Sequence, residues 1–368
     1  MSAGSRMAHR LWTSREGGPA DLDGILDLRR ATFGDVDPEK NRPDVWRWRF
    51  VDNPAGPGWI RLAEHDGRVV GHYAAVPMRL RVGGVAGADR IFAMSCDTMT
   101  HPDYQKQGIF VTLARELYDD IARRDDVTTV FGFPNQASRP GFVGKLDWFD
   151  IHVFPLRAKP LRSAGVLARY VPPGFARVLG RIADGGYRMV TPRAAEPRRC
   201  RIEPLARFDA RFDALWSRHL GLARVMQVRD RAFLDWRYCA VPSFGYRPFA
   251  VHVGDRLEGY VVLRRLEQLG LPFTAIVELF PCPLVADDIT REVLAFAQLR
   301  AMDDGAAFLT ALLPPAHARH LRRFGFVTVP ARLDPRPFCL GARAAPADRA
   351  LLRDIDGWYV TYGDADVI

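Results

Sequence analysis

The sequence predicts an α/β (α+β) fold built twice over. Three observations carry that expectation: a strand–turn–helix unit around residues 91–121, a second set of elements in the same order, and a constant offset between the two. Trp48-Arg49-Phe50-Val51-Asp52-Asn53-Pro54 matches Trp236-Arg237-Tyr238-Cys239-Ala240-Val241-Pro242, and Gly71 matches Gly259, both 188 residues apart. A shared register without gaps is the mark of an internal repeat. At 368 residues, against roughly 100–200 per domain, two domains are the natural expectation.

Each copy begins with its Trp-Arg-aromatic motif and continues into a β-hairpin, turning at Asp66-Gly67 or Gly254-Asp255. In the first copy a strand from about Ile91 to Thr100 leads into His101-Pro102-Asp103-Tyr104-Gln105-Lys106-Gln107-Gly108-Ile109-Phe110. A helix follows, because Ile109, Leu113, Leu117 and Ile121 fall on one face and Arg115, Glu116, Asp119 and Asp120 on another. Thr128–Phe133, β-branched and aromatic, reads as the next strand. The second copy offers a strand over 274–280, a helix over 289–303, a strand over 307–313 and a helix ending near Phe324.

A turn between a strand and a helix aims free backbone N–H groups at one point, and the helix dipole adds partial positive charge there. Residues 105–110 are therefore expected to hold a phosphate. At these residues the chain resembles the GNAT superfamily of acyl-CoA-dependent N-acyltransferases. Its pyrophosphate loop, Gln/Arg-x-x-Gly-x-Gly/Ala after a His/Asn-Pro-x-Tyr turn, corresponds to Gln105-Lys106-Gln107-Gly108-Ile109-Phe110 after His101-Pro102-Asp103-Tyr104. Phe110 departs from the family's small residue.

The resemblance implies two GNAT-like domains, each a twisted, mixed, mainly antiparallel sheet flanked by helices, with acetyl-CoA as co-substrate and no metal. It implies that the fourth and fifth strands splay around the pantetheine arm. Thr98, Met99 and Thr100 would then offer backbone groups, Gln105, Lys106, Gln107, Gly108, Ile109 and Phe110 the phosphate site, and Asn135 and Ser138 contacts beside the cofactor. Asn135 also reads as an ordinary helix cap. The second copy has Pro281-Cys282-Pro283-Leu284-Val285-Ala286-Asp287-Asp288 where the loop should be. Its prolines remove donors and its acids repel phosphate, so the second copy is expected to be degenerate and to shape the acceptor pocket. The expected boundaries are residues 1–156, a basic linker over 157–200, and 201–368.

Acyl transfer to an amine needs a base, a donor to the thioester oxygen and a group to meet the leaving thiolate. Many family members use a Tyr for the last task, and here Phe142 stands near its place. Asp97 is the first candidate for the base and Glu278 the second. Cys96 reads as a buried thiol. Asp364 and Asp366, in an aromatic and acidic C-terminal stretch, are candidate acceptor contacts, and Arg49 and Arg237 read as structural because they recur without the loop.

The net charge of +9 suits an anionic ligand such as CoA. No basic patch interleaved with stacking aromatics suggests nucleic acid. Five scattered cysteines and the pair His317 and His320 complete no metal set. No apolar run reaches the ~20 residues of a membrane span, and no secretory leader is evident, so a cytoplasmic protein is expected. Within 157–200, Phe175, Val178, Leu179 and Ile182 take helical spacing with Arg177 and Arg181 off that face. A membrane-surface helix fits, but packing is the commoner fate of a short amphipathic stripe, and an interdomain helix is expected. The functional expectation is transfer of an acetyl group from acetyl-CoA to a primary amine on a small metabolite or amino sugar. The alternatives are transfer of a larger acyl or aminoacyl group to a cell-wall or polysaccharide precursor, and a non-catalytic acyl-CoA-binding protein.

Overall fold

The computed structural model describes residues 11–34, 36–168, 171–190, 195–268, 270–334 and 337–365. The first part runs β1 (Thr13–Glu16), α1 (Leu22–Phe33), α2 (Pro43–Phe50), β2 (Trp59–His65), β3 (Arg68–Val82), β4 (Ala88–Thr100), α3 (Ile109–Asp125), β5 (Val130–Gly132), α4 (Arg139–Lys145) and β6 (Phe149–Phe154). A connecting stretch holds β7 (Arg157–Pro160), α5 (Ser163–Leu167) and α6 (Pro173–Val190). The rest runs β8 (Arg201–Pro204), α7 (Ala210–Arg218), β9 (Val225–Gln227), α8 (Arg231–Tyr238), β10 (Tyr246–Val253), β11 (Arg256–Gln268), β12 (Leu271–Phe280), α9 (Asp287–Asp303), β13 (Phe308–Ala311), α10 (Ala318–Arg323), β14 (Val327–Thr328), β15 (Phe338–Arg343), α11 (Pro346–Arg353) and β16 (Trp358–Tyr359).

Two sheets form among the described residues. One is ordered β1-β2-β3-β4-β5-β15-β6, with β9 on β3 and β16 on β9; the other is ordered β14-β7-β13-β12-β11-β10-β8. Pairing is antiparallel except at β4/β5, β12/β13 and β9/β16. The duplicated elements occupy equivalent places: α2 and α8 carry the Trp-Arg motifs, and the hairpins β2/β3 and β10/β11 follow them.

Sheet membership departs from the expected boundaries. β15, from the second half, lies between β5 and β6, while β7, from the expected linker, pairs with both β13 and β14. Such pairings join residues far apart in the chain, and each strand's alternation is compatible with either neighbour, so the sequence cannot choose between them. Both strands are interior members of the sheets they join.

Gly71 and Gly259 are alike for a packing reason. A Cβ on Gly71 would lie 2.3 Å from Ile109 Cγ2, and one on Gly259 would lie 2.4 Å from Leu284 Cδ2 and 2.7 Å from the Phe280 carbonyl. Each glycine lets the chain that follows the third long strand of its copy cross close over the sheet. In the first copy that permits α3 to bury Ile109, Leu113, Leu117 and Ile121 against β2 and β3, at about 1.5–3 kcal/mol per side chain.

The α6 helix behaves differently from the expectation. Ala176 and Gly180 form its buried edge, with Gly180 so close to α5 that a Cβ would meet the Ala164 backbone at 2.7 Å. Phe175, Val178, Leu179 and Ile182 do not pack between domains and are 45–69% exposed. The small residues allow the closest approach to α5, and that contact turns the large ones outward.

Candidate active site

β4 pairs with β5 only at Ala93↔Val130, Met94↔Phe131 and Ser95↔Gly132. Beyond Ser95 the strands part, and β4 runs on to Thr100 with that edge bare. On its other edge the β3 register shifts between His72↔Met99 and Ala74↔Cys96, so Asp97 and Thr98 together stand opposite Tyr73. This bulge holds Asp97 at φ 46°, and His72 Nδ1 meets the Asp97 carbonyl at 2.6 Å. Burial lowers the His72 pKa, so the ring is neutral and donates there. The parted strands open a cleft of about 450 Å³ that Ser95, Asp97, Thr98, Phe133, Asn135 and Ser138 help to line.

At the end of β4 the chain enters the turn at 101–108. His101 is buried with Nε2 2.9 Å from Arg68, and the Tyr104 hydroxyl meets His65 Nδ1 at 2.6 Å, which anchors the turn from below. Lys106 and Gly108 take left-handed conformations, at φ 62° and 79°. For a lysine this is uncommon strain of the kind that gathers at functional sites. The amides of Lys106, Gln107 and Gly108 donate to no acceptor among the described residues, and no acid stands in the first turn of α3. Nothing lies within 4 Å of where a Gly108 Cβ would be. The turn thus presents open, donor-rich space at a helix N-terminus, which fits a pyrophosphate.

Phe110, the departure from the motif, has a structural cause. Its ring packs edge-on against Phe142 at 5.0 Å and covers Gly141, where a Cβ would come within 2.6 Å of it. Ile109 is buried beneath α3, so its backbone alone remains for a ligand. Met99 is likewise buried, while Thr98 and Thr100 are partly exposed. Asn135 closes the turn ahead of α4: its Oδ1 accepts from Ala137 N at 3.0 Å and Ser138 N at 2.9 Å, and the residue lines the cleft.

Asp97 reaches the cleft, but its surroundings oppose the role of base. Burial works to raise its pKa, yet Arg49, Lys40 and Arg29 outweigh that and hold it at about 2. Arg49 Nη1 lies 3.0 Å from Oδ2 and Arg29 Nη1 3.9 Å from Oδ1. A carboxylate so stabilised accepts a proton poorly at neutral pH.

Glu278 is not over any acceptor. It sits on the central strand β12, 1% exposed, with Oε2 3.3 Å from Arg229 Nε and 3.1 Å from the Tyr238 hydroxyl. Burial raises its pKa against the pull of Arg229. Asp364 belongs to the same cluster, holding Arg229 Nη2 at 2.8 Å; Asp366 lies outside the described residues. The segment 358–365 packs on β12 and β13, with the Tyr359 hydroxyl on the Leu279 carbonyl and Tyr362 3.0 Å from Thr310 Oγ1. In the second copy the C-terminal segment therefore covers the strands that correspond to β4 and β5. Arg237 is spent on the carbonyls of Gly363 and Ala365, at 2.9 and 2.8 Å. Its first-copy counterpart Arg49 instead reaches the site.

One group escaped the sequence reading. Trp148 Nε1 donates to the Tyr118 hydroxyl at 3.0 Å, Tyr118 lies 2.7 Å from the Tyr73 hydroxyl, and Tyr73 donates to Ser95 Oγ at 2.8 Å. Tyr73 has one proton and gives it to Ser95, so Tyr118 must donate to Tyr73, and the Ser95 proton is left free for the cleft. Burial raises both tyrosines above the ordinary phenol range, so they stay protonated. The alternation of β3 and β4 places Tyr73 and Ser95 on one face, but no local signal couples them to a helix residue.

A family model described as an acetyltransferase (GNAT) domain matches residues 13–149. No curated protein matches the sequence. Among solved structures, a GCN5-related N-acetyltransferase from Anabaena variabilis aligns over 92% of this chain and 74% of its own, at 12% identity and a TM-score of 0.58. One from Kribbella flavida aligns over 92% and 72%, at 17% identity and 0.57. N-myristoyltransferase from Saccharomyces cerevisiae, with bound myristoyl-CoA, aligns over 93% and 85%, at 10% identity and 0.61. At these identities the likeness is one of fold. Residues 13–149 thus match the acetyltransferase (GNAT) domain model, and the chain as a whole shares the fold of these N-acyltransferases.

Proposed function

We propose that the protein moves an acetyl group from acetyl-CoA to a primary amine on a small metabolite or amino sugar. The observation that carries this reading is the bare β4 edge, which lines the cleft at Ser95–Thr98 and runs on along the chain to the open amides at 106–108. The amides at 106–108 would hold the pyrophosphate, and the edge beyond Ser95 would pair with the pantetheine. The bulge at Asp97 and Thr98 would turn an N–H toward the thioester oxygen, where negative charge develops as the amine attacks. Phe133, Phe142, Trp148 and Phe338 crowd the cleft's inner end, which favours a short acyl group.

As the C–N bond forms and the C–S bond breaks, the departing thiolate needs a donor. Ser95, backed by Tyr73 and Tyr118, is placed to serve where the family's Tyr is replaced by Phe142. Asp97, held ionised by Arg49, Lys40 and Arg29, is assigned no proton transfer, and water carries off the amine proton. The test is release of CoA thiol from acetyl-CoA across a panel of amines and amino sugars. Amine-dependent release is expected. Turnover confined to longer acyl donors, or none with any amine, would overturn this substrate assignment.

A further inference from the structure

Residues 157–201 contain eleven Lys and Arg but only two acids, Asp184 and Glu196. That excess equals the +9 of the whole chain, so the remaining sequence is formally neutral. A CoA site elsewhere therefore does not account for the charge. In the middle of this segment stands α6, with Phe175, Val178, Leu179, Ile182 and Met189 at 45–81% exposure. At 100° per residue these five fall within one arc of about 100°. Arg181 lies about 60° beyond one edge of that arc and Arg177 about 40° further round on the same side; both are exposed, and neither forms an ion pair among the described residues. The helix's one described acid is occupied, since Asp184 Oδ1 accepts the Ser163 amide at 3.0 Å. The other side of α6, through Ala176 and Gly180, is fixed on α5.

We propose that α6 docks this enzyme on the surface of an anionic lipid bilayer, its apolar arc entering the headgroup boundary and its arginines meeting lipid phosphates. Two arguments select that occupant. A second copy would bring like-charged arginines together, and five side chains on one helix fall well short of the ~800 Å² per partner of a stable protein interface. A bilayer needs neither shape complementarity nor a large contact, and it rewards an apolar arc bordered by Arg. No helix among the described residues is long and apolar enough to cross a membrane, so the contact is peripheral.

The experiment is cosedimentation of the full chain with vesicles of phosphatidylcholine alone and of phosphatidylcholine mixed equally with phosphatidylglycerol, at low and high salt. Binding is expected to the mixed vesicles, to weaken with salt, and to be slight on the neutral ones. Arg177→Glu and Arg181→Glu should each reduce partitioning by at least about fivefold, with Arg→Lys restoring it. Phe175→Glu with Ile182→Glu should abolish it. An unchanged thermal midpoint in each variant guards against misfolding, which is a small risk at exposed positions. Absence of binding to the mixed vesicles, binding indifferent to these substitutions, or a dimer in solution that the Phe175 and Ile182 changes dissolve would each overturn the proposal.

Discussion

The indole N–H of Trp48 donates to the Trp236 carbonyl at 2.7 Å, and that of Trp236 returns the bond to the Trp48 carbonyl at 2.9 Å. Their rings stack with centroids 4.8 Å apart and planes 20° from parallel. The two copies of the repeat thus meet at their own signature residue, in a reciprocal contact that only a near-twofold arrangement allows. The pair joins α2, which carries Arg49 to Asp97, to α8, which carries Arg237 to the C-terminal segment.

Trp48→Phe should cost about 1–3 kcal/mol, because it keeps most of the stacking but leaves the Trp236 carbonyl buried without its donor. Trp48→Ala should cost about 3–5 kcal/mol. Chemical denaturation checks both, and equal midpoints for wild type and Trp48→Ala would show that the contact does not hold the halves together.

Gly108→Glu should remove CoA binding while leaving the fold intact. The site is open, so the fold tolerates the side chain, but a carboxylate among amides at φ 79° repels phosphate and strains the turn. Calorimetric titration with CoA is the measurement, and unchanged affinity would refute the phosphate site.

Ser95→Ala and Tyr73→Phe should lower kcat about tenfold or more with KM little changed, since a donor to the leaving thiolate acts only as the C–S bond breaks. A structural defect would raise KM and lower the melting temperature together. The effect should shrink with acyl donors whose thiols are more acidic.

Asp97→Asn should destabilise the protein by about 2 kcal/mol at neutral pH, from a pKa depressed from 3.8 to about 2. A depressed carboxylate stabilises the fold above its unfolded pKa and loses that contribution as the pH falls through the folded value. The difference between wild type and variant should therefore close between about pH 4 and pH 2. A catalytic defect with no stability difference at pH 7 would restore Asp97 as a base.

Asp364→Ala should cost about 3–5 kcal/mol, because Arg229 is fully buried and loses its nearer partner. Glu278→Gln should leave kcat/KM intact. A selective rise in KM for the amine in Asp364→Ala, with stability preserved, would return Asp364 to the acceptor site.

Much of the first domain was legible because its signals are local. Residues 101–110 carry their turn chemistry within ten positions, and Ile109, Leu113, Leu117 and Ile121 repeat at the helical period. The exact repeat offset anticipated the correspondence of the two Trp-Arg motifs, though not that they lie on helices, and that of the glycines at 71 and 259. Asn135 closes the turn ahead of α4, a role its own neighbours define. Glu278 and Asp97 were legible as unusual carboxylates but not in their roles, since a pKa depends on which cations the fold brings near.

The sequence by itself determined the strand–turn–helix around Gly108, the duplication, and the prolines and acids of the second copy's loop, because each follows from residue type at short spacing. The tertiary structure alone decided the exchange of β7 and β15, the hydroxyl chain from Trp148 to Ser95, the covering of the second copy by residues 358–365, and the outward turn of α6. All four depend on pairings between residues distant in the chain, where many partners satisfy the same local pattern and only the packing of the whole selects one.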